Sequence, residues 1–387
     1  MRVLYVAIDQ TVPGTIGGSV HVTAVAEGLA ALGHEVHVLA ASGPSPFPSD
    51  TGASWRALAP PGGARHLRLL TTRRVREVAR ELRPDVVVER YHNFGGEGLL
   101  AARAVGALAV LEVNAPVIDY PGSAKAWIDR ALIVSPMRRW REWQCSAADL
   151  IVTPYRGMLP RGVSSDQVLE VEWGADTTRF QPDATGEPPY ARRADEIVVV
   201  FAGAFRAWHG AVHLVEAVRR LRSRGRSHVR AVFIGDGPEL GRVRAAARDL
   251  DGVTFTGAVA YASMPAALAA ADIGAAPFDV GAHGPLALGF YWSPLKVFEY
   301  MATALPVVAP DIDRLRAIAR PGLEGVLYDA SDSNGLANAI EALSDPSTRT
   351  RLGTSARERV VERFGWDTHC QTLAAAFERA LRQRRGH

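Results

Sequence analysis

A lysine and a glutamate three residues apart have the types and spacing in this chain that best suit chemistry. Ser293 is a good N-cap and Pro294 suits a first helical position, so a helix is predicted to start here. Lys296 would lie in the first turn, where free backbone N–H groups and the helix dipole favour an anion. Glu299 would follow on the same face, one turn further along. The pair suits a nucleotide diphosphate, with Lys296 at the phosphates and Glu299 at the ribose hydroxyls. The alternative is an ordinary surface ion pair at a capped helix.

The choice of lysine at this position favours a specific role. Of 44 basic residues only Lys125 and Lys296 are lysines, and the others are arginines. Lysine is a compact point charge, whereas arginine is a planar fork.

A second candidate site follows the first strand of the second half, in the turn that runs from Gly203 to Gly210. Arg206 and His209 could face a diphosphate there, next to the start of a helix. Gly235 and Val259 follow the next two strands, where main-chain groups could contact a flat base. The alternative is solvated loop residues and strand-to-helix turns that need glycine.

Gly17 and Gly18 lie between the first strand and the first helix, where open α/β sheets bind ligands. Their backbone N–H groups could approach an anion, or the turn could simply need glycine. The segment does not match Gly-x-Gly-x-x-Gly, and the chain contains no Gly-Lys-Ser/Thr phosphate loop. A dinucleotide dehydrogenase and an NTPase are therefore disfavoured.

Two polar side chains in the first half follow predicted buried strands. His92 and Asn114 are candidates to bind or orient an acceptor hydroxyl, although a structural role is the commoner fate of a lone histidine. No grouping of His, Asp and Glu has metal-ligand spacing, and no Ser/His/Asp arrangement can be singled out. We expect no bound metal and no cofactor.

Composition narrows the class of protein. At 387 residues, with 48% hydrophobic and 22% charged residues, the chain suits two globular domains. A net charge of +3 is too weak to predict nucleic-acid binding. Cys145 and Cys370 suggest neither a disulfide framework nor a metal site. The first residues read as a strand rather than a signal peptide, and no apolar stretch is long enough to span a bilayer. We expect a cytoplasmic location.

An arginine-rich stretch with tryptophans, residues 137–143, could rest on an anionic membrane. We prefer a solvated helix edge, so peripheral membrane contact is not favoured.

Short apolar runs alternate with amphipathic helical patterns along both halves, which predicts two doubly wound, Rossmann-like α/β domains. The strands predicted in the first half are Val3–Ile8, Glu35–Leu39, Val86–Glu89, Ala109–Val113 and Leu150–Thr153, and its predicted helices include a single one from Ile128 to Ala147. The second half begins with a predicted strand, Ile197–Gly203, and its last two predicted helices are Ser333–Leu343 and Trp366–Gln383. A polar segment around residues 176–196 reads as a linker. The predicted domains are 1–185 and 186–364, followed by a final helix within 365–387.

The motifs taken together resemble the family-4 glycosyltransferases of the GT-B fold over nearly the whole chain. The matching pieces, in chain order, are Gly17-Gly18, Gly33–Val36, Gly174–Phe180, Gly203–Gly210, Gly235–Pro238, Gly257–Val259, Ser293–Met301, Pro306–Val308 and Gly322–Gly325. Each motif is weak alone, but their order and spacing are specific.

The resemblance implies two Rossmann-like domains that face each other across a cleft, with the final helix packed back on the N-terminal domain. It implies a nucleotide-sugar donor in the C-terminal domain, an acceptor at the N-terminal domain, and transfer with retention of configuration. Glu299 would be the second carboxylate of the family's Glu-x7-Glu motif. The donor-binding set would be Gly17, Gly18, Gly203, Gly235, Val259, Ser293, Pro294, Leu295 and Glu299.

Four positions depart from the family pattern. The first Glu of the motif falls at Tyr291, and the Arg and Lys of the second domain's first turn fall at Ala204 and His209. The acceptor-side His falls near Asn114. We interpret Arg206, His209 and Lys296 as an alternative phosphate-binding, catalytic set.

These features predict a metal-independent retaining glycosyltransferase that uses a nucleotide-diphosphate sugar and a hydroxyl acceptor. The acceptor could be a glycan, a glycolipid precursor or a secondary metabolite. Two alternatives remain open: a degenerate GT-B protein that binds without turnover, and a sugar-nucleotide epimerase.

Overall fold

A computed structural model describes residues 1–14, 16–49, 51–131 and 135–385. The chain divides into two compact units. The N-terminal unit contains Met1–Trp173, Ala287–Ser293 and Trp366–His387. The C-terminal unit contains Gly174–Leu286 and Pro294–Gly365. Each unit is built on its own parallel sheet, so the predicted α/β class with two Rossmann-like domains is confirmed.

The N-terminal unit has a seven-stranded sheet in the order β3-β2-β1-β4-β5-β6-β7. Its strands are β1 (Arg2–Val12), β2 (Glu35–Ser42), β3 (Ser54–Ala57), β4 (Val86–Arg90), β5 (Leu108–Glu112), β6 (Leu150–Thr153) and β7 (Val168–Glu170). Its first five helices are α1 (Gly17–Ala31), α2 (Thr72–Leu82), α3 (Glu97–Val105), α4 (Ala124–Ala131) and α5 (Pro136–Ala147). The central strands β4 and β5 are buried along their whole length because helices cover both faces of the sheet. Both begin as apolar runs and end in the buried charged residues Glu89, Arg90 and Glu112.

The C-terminal unit has a six-stranded sheet in the order β10-β9-β8-β11-β12-β13. Its strands are β8 (Ile197–Ala202), β9 (Val229–Ile234), β10 (Val253–Gly257), β11 (Ile273–Ala275), β12 (Val307–Pro310) and β13 (Gly325–Tyr328). Its helices are α6 (Ala211–Ser223), α7 (Leu240–Ala246), α8 (Met264–Ala269), α9 (Leu295–Ala302), α10 (Asp313–Ile318), α11 (Gly335–Glu341) and α12 (Pro346–Arg363). Aromatic rings of Phe201, Phe205 and Phe233 fill the centre of its core.

The last helix, α13 (Trp366–Arg385), packs on α1 within the N-terminal unit. Cys370 is buried at this contact, and a Cβ atom at Gly28 would lie only 2.5 Å from the Cys370 sulfur. Leu373 and Phe377 are buried on the same helix. The close approach of the two helices therefore requires glycine at position 28.

The boundary between the units lies twelve residues before the predicted one, since the break falls at 173/174 and not at 185/186. The first part of the predicted linker, residues 176–180, belongs to the C-terminal unit, because Arg357 of α12 donates to the carbonyl oxygens of Thr177 and Phe180. Phe180 is fully buried, which anchors the segment there.

The single helix predicted from Ile128 to Ala147 is wrong in its continuity. Two helices, α4 and α5, occupy this stretch, and residues 132–134 lie outside the described part of the chain. Ser135 has a left-handed backbone with φ of 47°, and Pro136 begins α5. A proline lacks the N–H that a continuous helix needs, so it is suited to a helix start. The Asp129 carboxylate accepts the backbone N–H of Met137 at 2.8 Å.

The arginine-rich stretch of α5 turns partly into the protein. Arg141 is buried and donates to Asp119 at 2.9 Å, and Trp140 donates to the Gly95 carbonyl oxygen at 2.9 Å. Trp140 and Trp143 stack with ring centroids 4.5 Å apart. These contacts engage Trp140, Arg141 and Trp143, whereas Arg138 and Arg139 of the same stretch are exposed. Among the described helices, none combines the length and apolar character needed to cross a bilayer.

Candidate functional site

The carboxyl ends of β8 and β11 mark the point in the C-terminal sheet where the strand order reverses. Open α/β sheets bind ligands at such a point. Gly203 follows β8 with φ of 134°, and a Cβ atom there would lie 3.2 Å from the Lys296 ammonium nitrogen. The start of α9 therefore brings Lys296 to the predicted position, beside the end of β8.

Lys296 is buried, with 9% of its surface exposed. Its Nζ lies 4.2 Å from the ring centroid of Phe201 and 5.5 Å from that of Phe278. Within the described residues, this nitrogen has no hydrogen-bond partner. Burial lowers the pKa of Lys296 from 10.5 to about 7, against a smaller opposing effect of Glu299. A buried ammonium that lacks a partner is costly, and a bound anion would remove that cost.

Glu299 is also buried, so the alternative of a surface ion pair is wrong. Its Oε1 accepts the hydroxyl of Tyr261 at 3.0 Å. Burial raises the pKa of Glu299 from 4.5 to about 7, although the Tyr261 hydrogen bond and the Lys296 charge oppose this. The helix therefore carries two titratable groups with pKa values near neutrality, a pattern typical of functional sites.

Tyr261 was missed by the sequence interpretation. It lies 38 residues before Glu299, in a short turn that precedes α8. Its ring contacts Phe180 with centroids 5.7 Å apart, and the Arg179 guanidinium lies 4.7 Å from its centroid. Only the preceding Val259, which is half-buried, had been singled out in this region.

His209 and Arg206 lie in the turn between β8 and α6, as predicted. Burial, together with the nearby Lys296 charge, lowers the pKa of His209 to about 3. Its Nδ1 lies at hydrogen-bond distance from the Ala204 carbonyl oxygen, which can only accept, so Nδ1 carries the proton. His209 is therefore a neutral imidazole rather than a cation. Arg206 is exposed, with its guanidinium 5.6 Å from the Trp208 ring.

Close backbone approach explains the glycines of this site. A Cβ atom at Gly235, whose φ is 132°, would lie 2.0 Å from the carbonyl oxygen of Gly203. The ends of β8 and β9 can therefore meet beside Lys296 only if position 235 is glycine.

The N-cap predicted for α9, the helix that carries Lys296, is wrong. The helix begins at Leu295, and Pro294 occupies the N-cap position without a side-chain hydrogen bond. Ser293 instead donates to the Glu172 carboxylate and accepts the backbone N–H of Trp173 at 2.9 Å. These three residues belong to the N-terminal unit, so Ser293 ties together two chain segments of that unit. The Ser293 hydroxyl is used in these two hydrogen bonds and does not cap α9.

A buried carboxylate, Glu112, lies at the end of β5 in the N-terminal unit. It accepts hydrogen bonds from Tyr5, Arg90 and Asn114, and the Arg90 contact measures 2.7 Å. The His21 Nε2 lies 2.8 Å from the same carboxylate. Burial alone would raise the pKa of Glu112, but His21, Arg90 and the hydrogen bonds hold it well below 4.5.

Asn114 uses both ends of its amide inside this network. Its Nδ2 donates to Glu112, and its Oδ1 accepts the indole N–H of Trp173 at 3.0 Å. The amide still has one N–H and one lone pair for a ligand. His92 lies in different contacts: its Nδ1 accepts the backbone N–H of Phe94 at 3.2 Å. Burial lowers the pKa of His92 to about 4, and the Arg68 charge adds to this.

Gly18 lies near the same network at the start of α1. A Cβ atom at Gly18 would lie 2.1 Å from Gln10 Oε1 and 3.5 Å from an Arg90 guanidinium nitrogen. The Cβ position of Gly17 lies 3.7 Å from the Trp173 ring, which is an ordinary contact. Steric need therefore explains glycine at position 18 but not at position 17.

Tyr291, which occupies the position of the first motif glutamate, is 4% exposed. Its ring lies 5.0 Å from that of Trp292. Burial raises the pKa of Tyr291 well above 10, so a carboxylate is replaced by a neutral phenol. In the part of the chain that the structure describes, no group of three or more His, Cys, Asp or Glu is placed to hold a metal ion.

Comparison with protein families matches each half of the chain to a glycosyltransferase model. Residues 16–159 match the model described as Glycosyltransferase Family 4, and residues 196–345 match that described as Glycosyl transferases group 1.

The curated relatives include two mannosyltransferases of mycobacteria. The chain is 30% identical over 208 residues to a GDP-mannose-dependent alpha-(1-6)-phosphatidylinositol monomannoside mannosyltransferase of Mycobacterium tuberculosis. That alignment covers 52% of this chain and 53% of the relative, so the chain spans about half of its length. It is 26% identical to a phosphatidyl-myo-inositol mannosyltransferase of Mycobacterium leprae, over 95% of this chain and 93% of the relative.

Solved structures share the fold at low identity. A sucrose-phosphate synthase of Thermosynechococcus elongatus has a TM-score of 0.74 and 19% identity, with 98% of each chain covered. Anabaena HepE, solved in complex with UDP and glucose, has a TM-score of 0.70 and 17% identity, with 97% of this chain and 99% of that chain covered. The two matched models and this shared architecture agree with the motifs of the sequence, and the chain belongs to the family-4 glycosyltransferases of the GT-B fold.

Proposed function

We propose that this protein transfers a sugar from a nucleotide-diphosphate donor to a hydroxyl acceptor with retention of configuration. The buried, unpartnered amine of Lys296 carries the proposal, because a diphosphate supplies the counter-charge that the described residues do not. GDP-mannose is the first donor to test, since curated relatives are named as dependent on it.

In the proposed reaction, the bond between the anomeric carbon and the diphosphate oxygen breaks as negative charge grows on the diphosphate. The acceptor oxygen forms its bond to the anomeric carbon on the same face, and its proton goes to the departing diphosphate. Lys296, charged once the diphosphate is bound, stabilises the leaving group. Such preorganised charge is commonly the largest contribution to catalysis.

Other residues would bind and orient the donor. Glu299 would accept the ribose hydroxyls, and main-chain groups near Gly203, Gly235 and Val259 would contact the phosphates and the base. Arg206 would add an exposed positive charge at the rim of the turn. His209, as a neutral imidazole, would accept a hydrogen bond rather than supply charge.

The acceptor would bind at the N-terminal unit, where Asn114 and His92 remain the candidate residues. Gly17 and Gly18 of the same unit remain candidates for contact with the nucleotide-sugar donor. Asn114 would act from the amide groups that the Glu112 network leaves available. Phosphatidylinositol and its monomannoside are the first acceptors to test, because two relatives are named for mannosyl transfer to them.

The test is a product analysis with GDP-mannose, UDP-glucose and these lipid acceptors. We expect release of the nucleoside diphosphate together with an α-linked product, detected by mass spectrometry and by the anomeric proton signal. A converted free donor would show an epimerase, and donor binding without any product would show a degenerate binding protein. Either result would overturn the proposal.

We also propose that transfer needs no metal ion, because Lys296 and helix termini supply the counter-charge of the diphosphate. Transfer is therefore expected to survive an excess of EDTA. Loss of transfer on chelation, restored by magnesium or manganese, would contradict this part of the proposal.

A further inference from the structure

We infer that Tyr261 is a positioning residue for Glu299: its hydroxyl holds one carboxylate oxygen so that the other is presented to the ribose of the donor. The inference rests on the proposed function, because it assigns the ribose to Glu299. Tyr261 donates to Glu299 Oε1 at 3.0 Å, and within the described residues no hydrogen bond reaches Oε2. One oxygen is therefore fixed and the other remains available.

The Tyr261 ring is itself held in place by residues 176–180, the first part of the predicted linker. Phe180 contacts the ring at 5.7 Å, and the Arg179 guanidinium lies 4.7 Å from its centroid. The turn that carries both residues is closed by the Asp176 carboxylate, which accepts the backbone N–H of Thr178 at 3.1 Å. Phe180 is fully buried. The position of the hydroxyl is therefore determined by packing and does not depend on a ligand.

The hydroxyl also favours the charge state that ribose binding needs. Ribose hydroxyls donate most effectively to an ionised carboxylate, whereas burial favours the protonated form of Glu299. Three groups lower the pKa of Glu299, namely Tyr261, Lys296 and Arg179. The neighbouring Tyr300 is also titratable, and the Glu299 charge adds to the effect of burial in raising its pKa. Burial keeps the Tyr261 phenol protonated at neutral pH, so it remains a donor.

The experiment compares wild type with Tyr261→Phe by calorimetry between pH 5.5 and 8.5. The probe is whichever of GDP, UDP, ADP and dTDP stabilises the wild type most in a thermal-shift screen. We expect affinity at pH 7 to fall about tenfold, as for a lost hydrogen bond to a charged group. We also expect the acidic loss of affinity to begin at a higher pH, because the pKa of Glu299 rises without the hydroxyl.

Three control variants separate positioning from general damage. Tyr190→Phe removes another buried hydroxyl of the same unit, which donates to the Ala267 carbonyl oxygen at 2.7 Å, and should keep the wild-type pH profile. Glu299→Gln should remove the part of the acidic loss of affinity that the carboxyl causes, and leave only the titration of the nucleotide's own phosphates. Arg179→Met alters an exposed side chain and should shift the profile in the same direction as Tyr261→Phe, but less.

The outcomes distinguish the two proposals. If Glu299→Gln weakens binding while Tyr261→Phe keeps the wild-type affinity and profile, the positioning role is wrong and the proposed function stands. If wild type binds none of the four nucleotides and forms no product, the proposed function itself fails. If Tyr261→Phe proves unfolded in a urea melt, Arg179→Met decides the matter. If this variant loses nucleotide affinity at the same acidic pH as wild type, the inference is overturned.

Discussion

The two units treat buried charge in opposite ways at the ends of their strands. In the N-terminal unit the Glu112 carboxylate is surrounded by donors from Tyr5, Arg90 and Asn114. In the C-terminal unit the Lys296 amine lies among aromatic rings, without a hydrogen bond from the described residues. A buried charge with partners is tolerated and becomes costly only when a partner is removed. A buried charge without partners destabilises the free protein, and a ligand of opposite charge removes that cost. The difference indicates that the anionic part of the donor belongs at Lys296.

The largest expected effect is a loss of stability when Glu112, the buried charge with partners, is replaced. Glu112→Gln leaves the buried Arg90 guanidinium without its counter-charge, so the free energy of unfolding should fall by about 3–5 kcal/mol. Urea melts at pH 7 measure the change. Because the pKa of Glu112 is depressed in the folded state, wild type should itself lose this stabilisation as the pH falls below 4.5.

The matched control for this variant is Glu81→Gln, which breaks an exposed pair with Arg56. Such pairs contribute about 0–1 kcal/mol, so this variant should unfold almost as wild type does. Equal stability losses in the two variants would remove the distinction between buried and exposed pairing.

The second effect concerns turnover. Lys296→Met should lower kcat on the order of a hundredfold with a smaller change in donor KM, because charge grows on the diphosphate as the bond breaks. Glu299→Ala should mainly raise donor KM, since ribose contacts change little during the reaction. Steady-state kinetics on both variants measure the split. Wild-type turnover in Lys296→Met would contradict the role of the amine.

The third effect is a stabilisation, and it is the counterpart of the Glu112 prediction. Lys296→Met should raise the free energy of unfolding on the order of 1–4 kcal/mol without ligand, as when other buried charges are replaced by apolar side chains. The folded pKa of Lys296 is about 7 and its ordinary value is 10.5. The cost in wild type is therefore fully present below pH 7 and disappears as the pH rises to 10.5.

Urea melts of the free protein at pH 6.5 and pH 9.5 test this, and the gain should be larger at the lower pH. Lys125→Met is the matched control because the chain has only these two lysines, and the Lys125 amine donates to the Pro116 carbonyl oxygen at 2.9 Å. Removing a paired lysine should not stabilise the protein. A destabilised Lys296→Met would show that the amine has a favourable partner in the free state.

The sequence was sufficient for the elements with strong apolar patterns. Buried strands such as β4 and β8 were predicted because they contain apolar runs, Val86–Val88 in β4 and all six residues of β8. The short strands β3 and β7 were missed, since they contain no buried residues and their pattern is weak. Helix α12 was missed because only four of its eighteen residues are buried and its sequence is polar and charged.

The candidate site was predictable only where residues are close in sequence. Lys296 and Glu299 share one helix, so their spacing was enough to place them on neighbouring turns. Tyr261 comes from another turn, and nothing local marks its contact with Glu299. The isolation of the Lys296 amine depends on Phe201 and Phe278, which only the folded structure brings around it.

The most direct test of the central claim is the uptake of a proton when a nucleoside diphosphate binds. At pH 8.5 free Lys296, with its pKa of about 7, is mostly neutral, and Glu299 is ionised. A diphosphate that pairs with Lys296 should recharge it, so GDP binding should take up about one proton. Calorimetry in two buffers of different ionisation enthalpy measures this number directly. We expect about one proton for wild type and Lys125→Met and none for Lys296→Met; binding by wild type without proton uptake would contradict the assignment of the phosphates to Lys296.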